Sequence, residues 1–216
     1  GDKQAWLLRT DYLADDAWLV RTIKSMRDLL HTFLIVSVVY ILTFSLTFGF
    51  VFPLQQLLFS GVSTQVGLLF LPHGMRVITL YFYGWRGMFY LLPASYLMIL
   101  LSVEQTGQDL LAPVVSLLCC YLGMQFVRLL FSDTISVSLK PQDWKLMVLG
   151  GVAASIFNGL GLALLDHGQD SVIPNSTRFF EVLGYVTGDV LGLVVCLAFL
   201  VYFFRMVRHL KLMSDE

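Results

Sequence analysis

Five polar side chains lie inside long apolar stretches of this sequence, where an ionisable group is costly and usually has a partner or a function. They are His73, Arg76, Asn158, Glu181 and Asp189. An arginine at the centre of a bilayer costs at least about 2.5 kcal/mol, so the rest of the bundle should supply a partner for Arg76. Arg76 and Asp189 lie at matching depth, about 18 Å into their apolar runs at 1.5 Å per residue. We therefore predict that these two side chains lie within salt-bridge distance, or are linked by one water molecule or by His73.

The chemistry that these residues support is recognition of a ligand or a partner. No Ser-His-acid set, phosphate-binding loop or pair of catalytic carboxylates can be assembled from them, so we expect no catalytic residues. One histidine near one glutamate is too little for a metal site. Two structural interpretations stay open: the charged pair only sets helix register, and His73 is a hydrogen-bonded packing residue. The sequence names no cofactor.

The composition is that of an α-helical integral membrane protein. Of the 216 residues, 57% are hydrophobic and 13% are charged, whereas soluble domains carry about 25% charged residues. The net charge of −1 argues against a nucleic-acid partner. The three cysteines, Cys119, Cys120 and Cys196, lie in apolar runs and form neither a disulfide framework nor a zinc spacing. The expected surroundings are therefore the lipid bilayer.

The elements that must position these residues are predicted to be six membrane-spanning helices, an all-α polytopic bundle. The spans cover approximately residues 33–52, 64–85, 88–103, 110–131, 146–165 and 179–205. Residues 1–31 form an N-terminal amphipathic helix at the membrane surface, or a solvated lead-in to the first span. The predicted organisation is a cytoplasmic segment (1–31), a transmembrane bundle (32–207) and a cytoplasmic tail (208–216).

The second span should be kinked, because Pro72 removes a backbone donor and Gly74 loosens the helix beside it. Such a kink would open backbone groups toward Arg76 and form a small polar pocket.

Small residues recur every four positions on the last two spans, and such ridges let helices approach closely. They are Gly184, Gly188 and Gly192 on the sixth span, and Gly151, Ser155 and Gly159 on the fifth. We predict that the two ridges pack against each other.

The basic residues predict the orientation. With six spans both ends of the chain share one side, and nearly all lysines and arginines fall on that side, with Arg178 alone opposite. Because basic residues concentrate in cytoplasmic segments, both termini are predicted to be cytoplasmic.

Several short motifs resemble a known family. They are Leu71-Pro72-His73-Gly74, Tyr83-Gly84-Trp85-Arg86, Pro93-Ala94-Ser95, the segment from Cys120-Tyr121-Leu122-Gly123 to Arg128-Leu129-Leu130, and Leu183-Gly184-Tyr185-Val186-Thr187-Gly188-Asp189-Val190-Leu191-Gly192. Over residues 33–207 the chain resembles the membrane-associated sensor domain of the first type, found at the front of bacterial histidine kinases and diguanylate cyclases. Gly188-Asp189 with Gly192 is the most specific part. The family usually has eight spans, and no kinase or cyclase domain follows Lys211 here, so the resemblance implies recognition without an output activity.

The expected function is therefore that of a non-enzymatic, multi-pass protein of the bacterial inner membrane. It would be sensor-like, or an accessory subunit that binds a protein partner in the membrane. The alternative is a small-solute or ion transporter that uses the region of Arg76 and Asp189, since charges within a membrane often mark pathways. A membrane enzyme is the third interpretation, and the missing catalytic residues argue against it.

Overall fold

The computed structural model describes the backbone of residues 25–58, 67–106, 110–131, 143–165 and 175–214, with side chains over slightly shorter ranges. Every element in these ranges is helical, which confirms the all-α class. The helices are α1 (Ser25–Leu58), α2 (Leu71–Tyr83), α3 (Trp85–Thr106), α4 (Ala112–Leu130), α5 (Asp143–Leu165) and α6 (Asn175–Ser214). Most of the amphipathic helix predicted for residues 1–31 lies outside the described residues.

Four stretches are long and apolar enough to cross a membrane: Ser25–Leu58, Ala112–Leu130, Trp144–Gly161 and Leu183–Lys211. By their length and composition these candidate spans indicate a membrane protein. Helix α2 has 13 residues, about 20 Å, which is shorter than the hydrocarbon core of about 30 Å. The apolar part of α3, Trp85–Leu101, is also short. Six full-length spans are therefore not confirmed.

The second predicted span is not one kinked helix, so that prediction is wrong. Residues 67–70 are not helical and α2 begins at Leu71. Pro72 occupies the first turn of α2, where its missing N–H would have no helical partner in any case. His73 and Gly74 therefore belong to a helix start. At the other end, Gly84 has a φ of 58° and forms a tight turn into α3, in a conformation that favours glycine.

The glycine ridge of α6 packs on this helix start. The backbone N–H of Phe70 donates to the carbonyl oxygen of Gly188 at 3.0 Å. A Cβ atom at Gly188 would collide with the carbonyl oxygen of Gly67, and one at Gly192 with that of Phe70. The predicted packing of this ridge on the fifth helix is therefore wrong for these two glycines. Gly184 is half-buried.

Helices α4, α5 and α6 form an antiparallel group. A Cβ atom at Gly123 of α4 would lie 2.5 Å from the Cα of Ala154 in α5, so these helices touch through their backbones. Gly151 of α5 faces the side chain of Leu193 in α6, as the prediction of contact between these helices requires. Gly159 is half-buried farther along α5.

The remaining helices attach to this group. Tyr40 and Phe44 of α1 form an apolar cluster with Leu91 and Met98 of α3 and Leu117 of α4. Helix α2 lies between the pair α1 and α3 and the group of α4, α5 and α6. It runs parallel to α6, because residues 67, 70 and 74 contact residues 188, 192 and 193 in the same order.

One end of the bundle collects the basic side chains, and we call it the basic end. The turn between α2 and α3, the end of α4, the start of α5 and the end of α6 all lie there. Its residues are Arg27, Arg86, Arg128, Lys145, Arg205, Arg208 and Lys211. Apart from Arg76, these are all the lysines and arginines whose side chains are described.

The close approach at Gly188 predicts a large effect of a single methyl group. Gly188→Ala should lower the free energy of unfolding in detergent by about 1–3 kcal/mol, because backbone must move to admit the Cβ atom. Gly49→Ala is the matched control, since a Cβ atom at Gly49 meets nothing within 4 Å. Equal unfolding curves for the two variants would contradict the packing described above.

Candidate functional site

The centre of the bundle holds a polar network built around His73. This side chain lies in the first turn of α2 and is fully buried. Its Nδ1 atom is 3.3 Å from Oδ2 of Asp189 in α6. Ser155 of α5 donates its hydroxyl hydrogen to the same carboxylate oxygen at 2.6 Å. The network therefore joins three helices through hydrogen-bonding groups in an otherwise apolar interior.

The carbonyl oxygen of Gly151 determines which ring nitrogen of His73 carries hydrogen. It lies 3.2 Å from Nε2, and a carbonyl oxygen only accepts, so Nε2 is the donor. Nδ1 then faces Asp189 and the thiol of Cys120, whose Sγ atom is 3.9 Å away. Nδ1 either accepts a hydrogen from one of these groups or carries one and donates it to Asp189. Through its two ring nitrogens, His73 therefore contacts groups on α4, α5 and α6.

Arg76 lies one turn farther along α2 and has different partners. Its Nε and Nη2 atoms donate to the hydroxyl oxygen of Tyr40 in α1 at 3.2 and 2.8 Å. Its Nη1 atom donates to the hydroxyl of Ser116 in α4 at 2.6 Å. The guanidinium also lies over the rings of Tyr40 and Phe70, at 5.7 and 6.0 Å from their centres. Neutral oxygens and aromatic faces, rather than a carboxylate, thus solvate this buried cation.

The predicted direct salt bridge between Arg76 and Asp189 is therefore wrong. Among the described side chains, the ion pair of Asp189 is with His73. The alternative prediction was that His73 links the two charges. The structure shows the contact of His73 with Asp189, whereas the hydrogen bonds of Arg76 go to Tyr40 and Ser116. Arg76 follows His73 by about one helical turn, so the guanidinium and the carboxylate belong to the same polar site.

The other two predicted polar residues are not seen in this network. Asn158 lies on the same face of α5 as Ser155, but it is only partly buried. Its buried Oδ1 atom has no hydrogen-bond partner among the described residues. The side chain of Glu181 lies outside the described residues.

Sequence reasoning missed the neutral partners of the charged residues. Tyr40, Ser116 and Cys120 stand in apolar runs without a charge that would single them out. Ser155 was recognised only as a small packing residue. Ser116 and Cys120 are four residues apart, which places them on one face of α4. This spacing was the one feature of the sequence that could have indicated a shared polar site.

The non-helical segment before α2 is held by its own set of partners. Gln55 of α1 is buried, and its Oε1 atom accepts the backbone N–H of Leu68 at 2.9 Å. The N–H of Phe70 is bound to Gly188, and the thiol of Cys196 contacts the carbonyl oxygen of Leu71 at 3.5 Å. Non-helical backbone within a membrane is tolerated only where protein or a water-filled cavity satisfies it. Helices α1 and α6 provide that satisfaction here.

The network lies near mid-depth between the two ends of the bundle. His73 is about 18 Å from Trp85 along α2, and Asp189 is about 24 Å from Arg205 along α6, at 1.5 Å per residue. Relative to a hydrocarbon core of about 30 Å, that position corresponds to the interior of a bilayer.

Comparison with known proteins provides no relative from which a role could be transferred. No protein-family model, curated protein or solved structure matches this chain. Within the described residues, no group of three or more His, Cys, Asp or Glu side chains is arranged to hold a metal ion.

Two buried serines make a matched test of the network. Ser155 and Ser95 are equally buried, at 1% exposure, but the hydroxyl of Ser95 has no hydrogen-bond partner in the described structure. Ser155→Ala should cost about 1–3 kcal/mol of unfolding free energy because it removes a bond to a charged group. Ser95→Ala should be neutral or stabilising. Chemical denaturation in detergent would measure both, and equal effects would contradict the assigned bond.

The solvation of Arg76 predicts a specific effect of one hydroxyl group. Tyr40→Phe should lower the unfolding free energy by about 2–3 kcal/mol, since two guanidinium donors lose their acceptor in the interior. Tyr90→Phe serves as control, because the hydroxyl of Tyr90 forms no hydrogen bond with the described residues. A Tyr40→Phe variant as stable as Tyr90→Phe would show that another group solvates Arg76.

Proposed function

We propose that this chain is a non-enzymatic, sensor-like protein of the bacterial inner membrane, or an accessory subunit of a membrane complex. The observation that carries the proposal is the contact of His73 with Asp189 and Ser155. A bond network with an exchangeable proton between α2, α5 and α6 has two arrangements, one with the helices held and one with them released. A ligand or partner that favours one arrangement shifts the population of both.

Helix α6 supplies the route by which such a change would leave the site. It is one continuous helix from Asn175 to Ser214, so a rotation or shift at Asp189 moves the segment beyond the bundle as well. Residues 201–211 of α6 are exposed on all sides. This exposed segment is a surface on which a partner protein can read the state of the site.

The proposed orientation places the basic end in the cytoplasm. Residue 25 at the start of α1 and residue 214 at the end of α6 both lie toward the basic end, which agrees with six passes in which α2 covers only part of the membrane. Basic residues favour the cytoplasmic side. A tag at Glu216 that is accessible from outside intact cells would overturn this orientation.

The role of the network is tested by removing its charge without changing its shape. Asp189→Asn in the full chain should alter hydrogen exchange of the α6 segment 198–211 in nanodiscs, because α6 loses its charged bond to α2. Ser95→Ala is the control and should exchange as the wild type does. The same two variants are then compared by chemical cross-linking in native membranes. A partner protein that cross-links to the wild type and to Ser95→Ala should be lost or changed with Asp189→Asn. Unchanged exchange and an unchanged cross-link would refute the proposal.

A small-solute or ion carrier is the second candidate function. The break in the backbone at residues 67–70 favours it, because transporters often place helix breaks beside their binding sites near mid-membrane. Proteoliposomes that contain a pH-sensitive dye would distinguish the two proposals. Proton uptake by the wild type that Asp189→Asn abolishes would support the carrier and count against the sensor.

A further inference from the structure

We propose that the basic end is a binding surface for the phosphate headgroups of anionic phospholipids. This inference depends on the membrane location of the bundle and on neither candidate for its function. It concerns five exposed cations that the interior network does not use: Arg86, Lys145, Arg205, Arg208 and Lys211.

The fold brings these cations together from distant parts of the sequence. Arg86 follows the turn between α2 and α3, Lys145 is in the first turn of α5, and the other three are near the end of α6. The antiparallel arrangement of α4, α5 and α6 places these positions at one end. Among the described side chains the opposite end has no lysine or arginine, so the surface faces a single leaflet.

These cations have no protein counter-charge within the described part of the chain. The ion pair found there joins His73 and Asp189 in the interior, and none of the five cations lies within 4.0 Å of a described carboxylate. Within the described residues their charge is therefore not neutralised by a carboxylate. A membrane surface that contains anionic lipid attracts such clusters, and each lysine or arginine near it increases binding about fivefold, equivalent to about 1 kcal/mol.

Two tryptophans set the depth of the surface. Trp85 and Trp144 are both 55% exposed, and tryptophan prefers the level of the lipid headgroups. The guanidinium of Arg86 lies 5.9 Å from the ring centre of Trp85, and the ammonium of Lys145 lies 5.9 Å from that of Trp144. The same Trp-cation unit thus occurs at the start of α3 and of α5. At that depth Arg86 and Lys145 meet phosphate groups rather than hydrocarbon or bulk water.

The proposal is tested with the full chain in nanodiscs of phosphatidylcholine alone or mixed with phosphatidylglycerol. The melting temperature of the wild type should be several degrees higher in the mixed lipid, and added salt should reduce the difference because it screens surface charge. The triple variant Lys145→Gln, Arg205→Gln, Arg208→Gln should lose this difference. Its affinity for phosphatidylglycerol, measured by native mass spectrometry, should fall about a hundredfold, since three cations are removed.

The control keeps the charge and changes the side chains. Lys145→Arg, Arg205→Lys, Arg208→Lys should behave as the wild type does, and both triple variants should melt alike in phosphatidylcholine, because all three positions are exposed. Three results would overturn the proposal: no preference of the wild type for phosphatidylglycerol, full affinity in the neutral variant, or equal protection by soluble glycerol phosphate. The last result would assign the surface to a free phosphate compound.

Discussion

The structure depends on one constraint: every charge and every free backbone group inside the hydrocarbon layer must find a partner within the protein. The start of α2 concentrates this demand, because it combines non-helical backbone with His73 and Arg76. Each neighbouring helix meets part of it. Helix α1 offers Gln55 and Tyr40, α4 offers Ser116, α5 offers a carbonyl oxygen and a hydroxyl, and α6 offers Asp189. The packing of the bundle follows from the need to bring these groups to one place.

Close approach is the second consequence of that constraint. The backbone of residues 67–70 bonds directly to α6, and such a bond is possible only where α6 has no side chain in the way. Gly188 and Gly192 fulfil this condition. The glycines therefore serve the hydrogen bonding of an irregular segment, whereas in regular membrane bundles they serve the contact of two helices.

The charges of the site are separated by neutral groups. A direct salt bridge between Arg76 and Asp189 would hold α2 against α6, and separating the two charges in the interior would require a large free energy. Here the carboxylate contacts an imidazole that can gain or lose a proton, and the guanidinium is solvated by hydroxyls on other helices. Such a contact suits the sensor or carrier function proposed above.

The sequence by itself determined the class of the protein, the polar residues at mid-depth and the collection of basic residues on one side. Composition and hydropathy suffice for these because burial in lipid acts on every residue alike. It also determined that His73, Arg76 and Asp189 need partners. Only the tertiary structure decided which partners they have. Tyr40 and Ser116 are uncharged, and their role arises from helix rotation and register, which hydropathy does not contain. The same holds for Leu71, where a helix begins because α1 and α6 satisfy the preceding backbone, so that Pro72 starts a helix rather than bending one.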